Sequence, residues 1–445
     1  MISGMISRLF DFELYWLLIL APVVLLPHLW STIQLRLALA GLMLFGVLRL
    51  ILYLRKRGKN GTRMNADERG CDPSSFILHP LTVAIGVLLL CLPISLLIAI
   101  DATLAWQGAG YLLFGITFLA AAIHHRPFQN EPFWLAYLLV LLGCGLAALS
   151  LLFYGEKWGI PTGLISRAMP LAQQLDNSIN ANVLAGGLAL ILPLTLAIAT
   201  AEGAKILRVR GAAILSTVIL GSGLLLTGSR GGYFAALIGI AVACGLRWPR
   251  LGRWLSGSLV IVILILGIWL TYFELPDLYR GRFYLILVEG WLDRQAIWER
   301  VLLALQDFPL TGIGMAQFGV VIPEFYPYFH RFNPAIPHAH NLWLQISMDL
   351  GLLGLISYLA IQINFGWMLH QAYRSLEGRE RALAVGLWGA FSALITHGLV
   401  DAVSWGTKLS FITWFVVALG VLLFNKIARW PHCVLFSGNH SGMSR

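Results

Sequence analysis

Three stretches of this chain combine reactive side chains with turn-forming residues. The first is Leu226-Thr227-Gly228-Ser229-Arg230-Gly231-Gly232, which lies between two apolar runs with no real loop between them. An arginine at that depth is costly unless something pairs with it. Its planar fork suits two oxygens of a carboxylate or phosphate, and the glycines allow a tight turn and close approach of a ligand. Ser229 belongs to the same candidate site. The ordinary alternative is a snorkelling arginine at a helix end, or one paired with a core carboxylate. The second stretch opens at Asp293-Arg294. From Asp293 to Phe308, Ile297, Val301, Leu302 and Leu305 recur at helical spacing, with Asp293 as the expected N-cap and Pro309, Gly312 and Gly314 ending the helix. A cation so near a helix N-terminus opposes the dipole, whereas an anion there is favoured. Arg294 is therefore either a local misfit kept for a ligand or a solvated surface residue.

The third stretch is Pro337-His338-Ala339-His340-Asn341. Histidine changes charge in the working pH range, which suits a general base. His340 directly precedes Asn341 and an apolar run, so its position is expected to be better fixed than that of His338. The His-x-His spacing is too short for two ligands on one helix face. No third ligand or cysteine cluster accompanies it in sequence, so no metal is expected. A hydrogen-bonded interfacial histidine is the plain alternative. Asp349 would stand about 13 Å along a helix from His340, too far for a direct pair, and is expected to meet an intramembrane cation or hydrogen-bond donor. His397 and Asp401 are spaced i, i+4 and would share one helix face.

The elements that must hold these residues are membrane helices. Of the 445 residues, 58% are hydrophobic and 12% charged, with a mean hydropathy of +0.78. A soluble domain carries roughly a quarter charged residues. The apolar runs are continuous and long enough to cross a bilayer, which takes about 20 helical residues, whereas barrel strands alternate. About twelve spans are expected, near 14–30, 36–54, 76–100, 105–123, 132–154, 182–201, 212–229, 232–246, 255–273, 342–369, 382–400 and 409–425. The fold class is thus an all-α polytopic bundle with one large external loop containing helix. Residues 1–273 hold spans one to nine, 274–340 the loop, 341–429 spans ten to twelve, and 430–445 a polar tail. Cys91, Cys144 and Cys244 lie in apolar runs and read as core residues; Cys71 and Cys433 make no Cys-x-x-Cys pair with them. The first run, with Pro22 and Pro27 and no small-x-small exit, reads as a retained helix rather than a cleaved leader.

The net charge of +10 points to topology rather than to nucleic acid. Loops at 55–75, 202–211, 247–254 and 370–381 carry most of the arginines and lysines, and the alternate loops few. The positive-inside rule then places those loops and both termini in the cytoplasm, and Arg230, the 274–340 loop and His340 toward the external face.

Taken together these motifs resemble the O-antigen ligase superfamily, which includes O-unit polymerases and protein O-oligosaccharyltransferases. The matching pieces are Thr227 to Gly232; Arg294-x-x-x-Trp298 followed by Phe308-Pro309-Leu310-Thr311-Gly312-Ile313-Gly314; and His338-Ala339-His340-Asn341 with Leu344-Gln345 and Asp349 to Gly354. Asn180-x-Asn182-x-Leu184-Ala185 and His397 to Asp401 fit more loosely. The resemblance implies a membrane glycosyltransferase without metal or other cofactor. Its donor would be a glycan on undecaprenyl diphosphate, and its acceptor a lipid-A core sugar, another glycan or a protein hydroxyl. It would sit in the bacterial plasma (inner) membrane. His340 would activate the acceptor and Arg230 and Arg294 would bind the diphosphate, with Ser229, His338 and Asn341 as further contacts. Asp349, His397 and Asp401 would support them. Asp349 stands where many relatives carry glutamate. Relatives lacking the histidine carry a bicarbonate-transport label, and His340 argues against that branch. The rival class, a secondary transporter or flippase, would place its charges and broken helices near the bilayer midplane. The topology predicts that a cysteine placed at Ala335 reacts with a membrane-impermeant thiol reagent applied from outside; reaction only after permeabilisation would refute it.

Overall fold

The computed structural model describes residues 13–60, 80–160, 180–201, 207–250, 290–327 and 336–436. Among them there is no strand. The helices are α1 (Glu13–Leu25), α2 (Thr32–Asn60), α3 (Pro80–Leu97), α4 (Ala102–His124), α5 (Phe133–Tyr154), α6 (Ala181–Ala199), α7 (Leu207–Thr227) and α8 (Arg230–Arg247), then α9 (Gly290–Asp307), α10 (Phe318–Phe325), α11 (Leu342–Ser375), α12 (Gly378–Gly398) and α13 (Phe411–Phe436). Helices stand at every expected span except 255–273, which lies outside the described residues, as do most of the 155–181 loop, residues 274–289, Ala335 and the last nine residues. By length and composition six described helices can cross a membrane: α3, α4, α5, α6, most of α7, and α11. Two expected boundaries differ. α9 begins at Gly290, so Asp293 lies in its first turn rather than at the cap, and α13 runs to Phe436, through the first part of the expected tail.

α6 is the central helix. It is apolar on all sides, as a fully enclosed helix must be, and packs on α5, α7, α8 and α12. Small residues let these helices approach closely, the usual device where lipid removes the hydrophobic drive between helices. A β-carbon added at Gly232 of α8 would stand 2.5 Å from the Ala185 β-carbon of α6. α11 packs on α3, α12 and α13, while α4 holds α1, α2 and α13.

Polar contacts mark two opposite ends of the bundle. At one end Arg247 donates to the Thr200 carbonyl, the Tyr373 hydroxyl donates to the Leu246 carbonyl, and Arg379 pairs with Glu131. At the other end the α5–α6 side meets the α7–α8 turn, where the Trp158 indole donates to the Leu226 carbonyl and the Ser229 hydroxyl to Asn182. The segment after α9 docks over the α3–α4 turn there. Gln317 exchanges hydrogen bonds with both backbone groups of Asp101, at 2.7 and 3.0 Å.

α11 enters this second end differently from the expectation. The Ser95 hydroxyl, two residues before α3 ends, donates to the Asp349 carbonyl at 2.6 Å. Asp349 is therefore level with the end of α3, and the residues before it rise beyond that level. The kink at Gly351 (φ 70°, ψ −176°) marks the entry into the bundle. There the Leu352 N–H donates to the Pro309 carbonyl, and the Ile313 N–H donates to that of Met348. Gly351 has both reasons to be glycine: its φ/ψ is open essentially to glycine alone, and a β-carbon would meet the Leu310 carbonyl oxygen at 2.0 Å. Gly351→Ala should therefore destabilise the detergent-solubilised protein by at least about 1–3 kcal/mol, seen as a clear fall in Tm. An unchanged Tm would show that the kink carries no such strain.

Candidate functional site at one end of the bundle

Three helix N-termini meet at the second end, each capped by the side chain that precedes it. Asn180 caps α6, Ser229 caps α8 and Asn341 caps α11. Each cap satisfies donors that the first helical turn leaves unpaired. The Ser229 cap is also linked to the first turn of α6, and the Asn341 cap to the end of α12. The Ser229 hydroxyl donates to Asn182 Oδ1 at 2.8 Å, and Asn341 Nδ2 donates to the Leu399 carbonyl at 3.3 Å. The polar atoms of Ser229 and Asn341, both expected as ligand contacts, are thus engaged in this architecture. The positive ends of three helix dipoles point into one region, which favours an anion there.

The segment His397–Asp401 crosses that region. α12 ends at Gly398, so Asp401 lies in the turn beyond the helix, with its N–H donating to the His397 carbonyl at 2.9 Å. Val400 is flanked by both expected arginine segments. Arg294 Nε donates to its carbonyl at 3.0 Å. A β-carbon at Gly231, next to Arg230, would stand 3.1 Å from Val400 Cγ2. Arg230 itself is exposed as the first residue of α8, whereas Arg294 is half-buried.

Asp401, 2% exposed, faces both loop histidines. Its Oδ1 lies 3.6 Å from His338 Nε2 and 3.5 Å from His340 Nδ1, and the two rings are 4.3 Å apart. These separations are at or beyond the outer limit of a hydrogen bond, and His340 Nδ1 has no closer partner. Such contacts often tighten when substrate binds. His338 is the more enclosed ring, against the expectation that His340 would be the better fixed. Burial pushes His338 down to about 4, the Asp401 carboxylate pulls the other way, and His340, Arg294 and His397 add to the depression. Burial would raise the Asp401 carboxyl, but the His340 contact and the surrounding imidazoles outweigh it and hold it well below the usual carboxylate range.

The hydrogen bonds fix the tautomer of His338. Its Nδ1 accepts the His340 N–H at 3.2 Å, so its proton sits on Nε2, facing Asp401. His340 presents Nδ1 to the same carboxylate oxygen at 3.5 Å, and a proton on that nitrogen would leave Nε2 with the lone pair. Asp401 also supplies the third potential metal ligand that the sequence did not reveal: its oxygen and the two imidazole nitrogens lie within 4.8 Å of one another. A cation at His338 Nε2 would need the lone pair that this tautomer does not offer, so the donor set suits a hydrogen-bonded carboxylate better.

Asp349 does not reach the imidazoles. It meets donors, as expected, from Gln345, Ala316 and Trp405. His397 lies behind the site, its ring near Gly186 and Gly231. Sequence reasoning missed Trp405 and the Val400 carbonyl, and gave Gln345 and Trp298 no role. The signal was present only in part: both Gln345 and Trp298 stand inside matching motifs.

Described residues that are helical and strand-free, with several helices able to cross a membrane and His338, His340, Asp401 and Arg294 gathered at one end, define a multi-pass membrane protein with a polar site at that end. Residues 215–359 match the family model described as O-antigen ligase, which supports the O-antigen ligase superfamily for this chain. The match covers about a third of the chain and contains Arg230, Arg294, both histidines and Asp349. No curated protein matches the chain.

His338 should stay neutral in the folded protein from pH 7 down to about pH 5, since burial lowers its pKa to about 4 from the ordinary 6.5. The unfolded chain binds that proton first, so this group's contribution to stability is present above about pH 6.5 and declines as pH falls toward 4. Imidazole NMR of the protein, assigned by comparison with His338→Gln, tests this. A midpoint near 6.5 would show that the ring is open to water.

Proposed function

We propose that this protein transfers a glycan from undecaprenyl diphosphate to an acceptor hydroxyl at the external face of the bacterial inner membrane. The observation that carries the reading is the convergence of Arg294, His338, His340 and Asp401 on one turn, beside three helix N-termini, within a chain matching the O-antigen ligase family. The site then divides into an anion half and a base half.

In the anion half Arg230 and Arg294 hold the diphosphate, helped by the helix dipoles. The leaving group is already good, so charge neutralisation is the main need. In the base half His340 Nε2 takes the acceptor's hydroxyl proton. The acceptor oxygen forms a bond to the anomeric carbon as the bond from that carbon to the diphosphate oxygen breaks. Undecaprenyl diphosphate leaves with the electron pair, and the anomeric configuration inverts. Asp401 holds His340 in the required tautomer and offsets the imidazolium charge. The site lies at the rim of the bundle, where a polyprenyl tail can remain in lipid. The acceptor is a lipid-A core sugar, a second glycan or a protein hydroxyl.

The direct test is transfer by the purified protein from a lipid-diphosphate glycan to a panel of these acceptors. His340→Ala should lower turnover by about 10²–10⁴-fold while donor affinity changes little. Arg294→Lys should weaken donor binding, because an ammonium does not reproduce the guanidinium fork. Full activity without the imidazole would remove His340 from the base role. Movement of the lipid-linked glycan across vesicles without transfer would favour a flippase.

A further inference from the structure

Asp349 is 1% exposed and stands in the part of α11 before the kink. Its two oxygens receive three donors. Oδ1 accepts from Gln345 Nε2 at 2.9 Å and from the Ala316 N–H at 3.1 Å, and Oδ2 accepts from Trp405 Nε1 at 2.8 Å. Two of these routes lead to the candidate site from opposite sides.

The first route reaches the histidines. Gln345 Oε1 accepts the N–H of Ala339, the residue between His338 and His340, at 2.8 Å. The amide of Gln345 has only one workable orientation, because its oxygen must face an N–H and its nitrogen a carboxylate. The Ala339 carbonyl is held from the other side by Trp298 Nε1 at 3.0 Å. Ala339 is completely buried with both backbone groups fixed, and His340 takes a left-handed φ of 47° directly after it. The second route reaches the carboxylate. Trp405 closes a turn by donating its N–H to the Ala402 carbonyl at 3.0 Å, and the Ala402 N–H donates to Asp401 Oδ1 at 2.8 Å.

We propose that Asp349 is a positioning residue that sets His340 against Asp401, through Gln345 and Ala339 on one side and through Trp405 and Ala402 on the other. It touches neither donor nor acceptor. The inference rests on the function proposed above, in which His340 is the base. Its mechanism is the direction of hydrogen bonds: only a group that accepts at both oxygens matches donors from both sides. Misplacement of a reacting group by about 1 Å can cost about 10²-fold in rate.

The test compares turnover and donor affinity in four variants. Asp349→Asn turns an NH₂ group toward either Gln345 or Trp405. It should lower turnover about 10–100-fold and leave donor affinity within about twofold, since the arginines are undisturbed. The double variant Gln345→Glu with Asp349→Asn restores the order of donors and acceptors from Ala339 to Trp405 but turns the new NH₂ group toward the Ala316 N–H, so it should regain only part of the loss. Trp405→Phe removes one donor and serves if Asp349→Asn does not fold; it should show the same separation of turnover from affinity. His340→Ala is measured beside them. Full activity there would sink the base reading and this inference together. Inactive His340→Ala with normal turnover in Asp349→Asn, or in Trp405→Phe where that variant stands in, would sink the positioning inference alone. A parallel loss of donor affinity and turnover would also overturn it, because that result marks a merely structural role.

Discussion

One buried carboxylate facing two imidazoles organises the candidate site. Asp401 sits in a turn, not a helix, and is enclosed by groups that arrive from far-apart segments: His338 and His340 from the loop, His397 from the end of α12 and Arg294 through the neighbouring carbonyl. A buried charge without such partners would cost several kcal/mol. With them it stays ionised and faces the imidazole that the proposed function makes the base. If His340 takes a proton, its attraction to Asp401 at 3.5 Å amounts to a gross ~5 kcal/mol at an effective dielectric near 20. Part of that is spent on desolvation and part is opposed by the arginine, so the net attraction is smaller than the gross figure. The same carboxylate does little for His338, whose burial dominates and keeps it neutral.

The membrane explains why so much polar chemistry gathers at one end. Inside lipid every backbone group must be satisfied within its own helix, so irregular backbone is confined to places covered by protein or opening to water. The turn before α8, the turn after α12 and the loop before α11 therefore lie at the same level. The N–H groups that open α6, α8 and α11 at this level are capped by Asn180, Ser229 and Asn341, and the carbonyls of the turn after α12 are used by neighbouring side chains. The rest of the bundle supplies height and rigidity. α6, enclosed on all sides, fixes the positions of α8 and α12, whose ends bear Arg230 and His397.

The helix positions were legible because continuous apolar runs have one physical solution in lipid. So were most of the residues that meet in the candidate site, since an arginine between glycines or a His-x-His at the edge of an apolar run is conspicuous by its expense. What sequence did not show was contact. Asp401 reads as the helical partner of His397 at i, i+4, yet the helix stops at Gly398 and the carboxylate turns toward the loop histidines instead. His338 reads as a loosely held loop residue, yet its ring is the more buried of the two. Ser229 and Asn341 read as ligand contacts, but small polar residues before a helix are also caps, and only coordinates reveal where those atoms are engaged. Trp405 carried no signal, because a lone indole in a short loop between two spans reads as an ordinary interfacial aromatic.

α9 joins the two halves of the site. Arg294 and Trp298 are one turn apart, about 6 Å along the axis, and so project from the same face. Through Arg294 that face holds the Val400 carbonyl, and through Trp298 it holds the Ala339 carbonyl. The helix thereby fixes the distance between the turn bearing Asp401 and the loop bearing both histidines. It does so with the same residue that, in the proposed function, binds the diphosphate. A side chain that both contacts the leaving group and grips the turn of the base's partner ties substrate recognition to the geometry of proton transfer. With α9 beginning at Gly290, Arg294 stands just beyond the first turn, where the dipole penalty expected from sequence is small, and the Val400 carbonyl gives its guanidinium a fixed acceptor while, in the proposed function, the rest of the fork meets the anion.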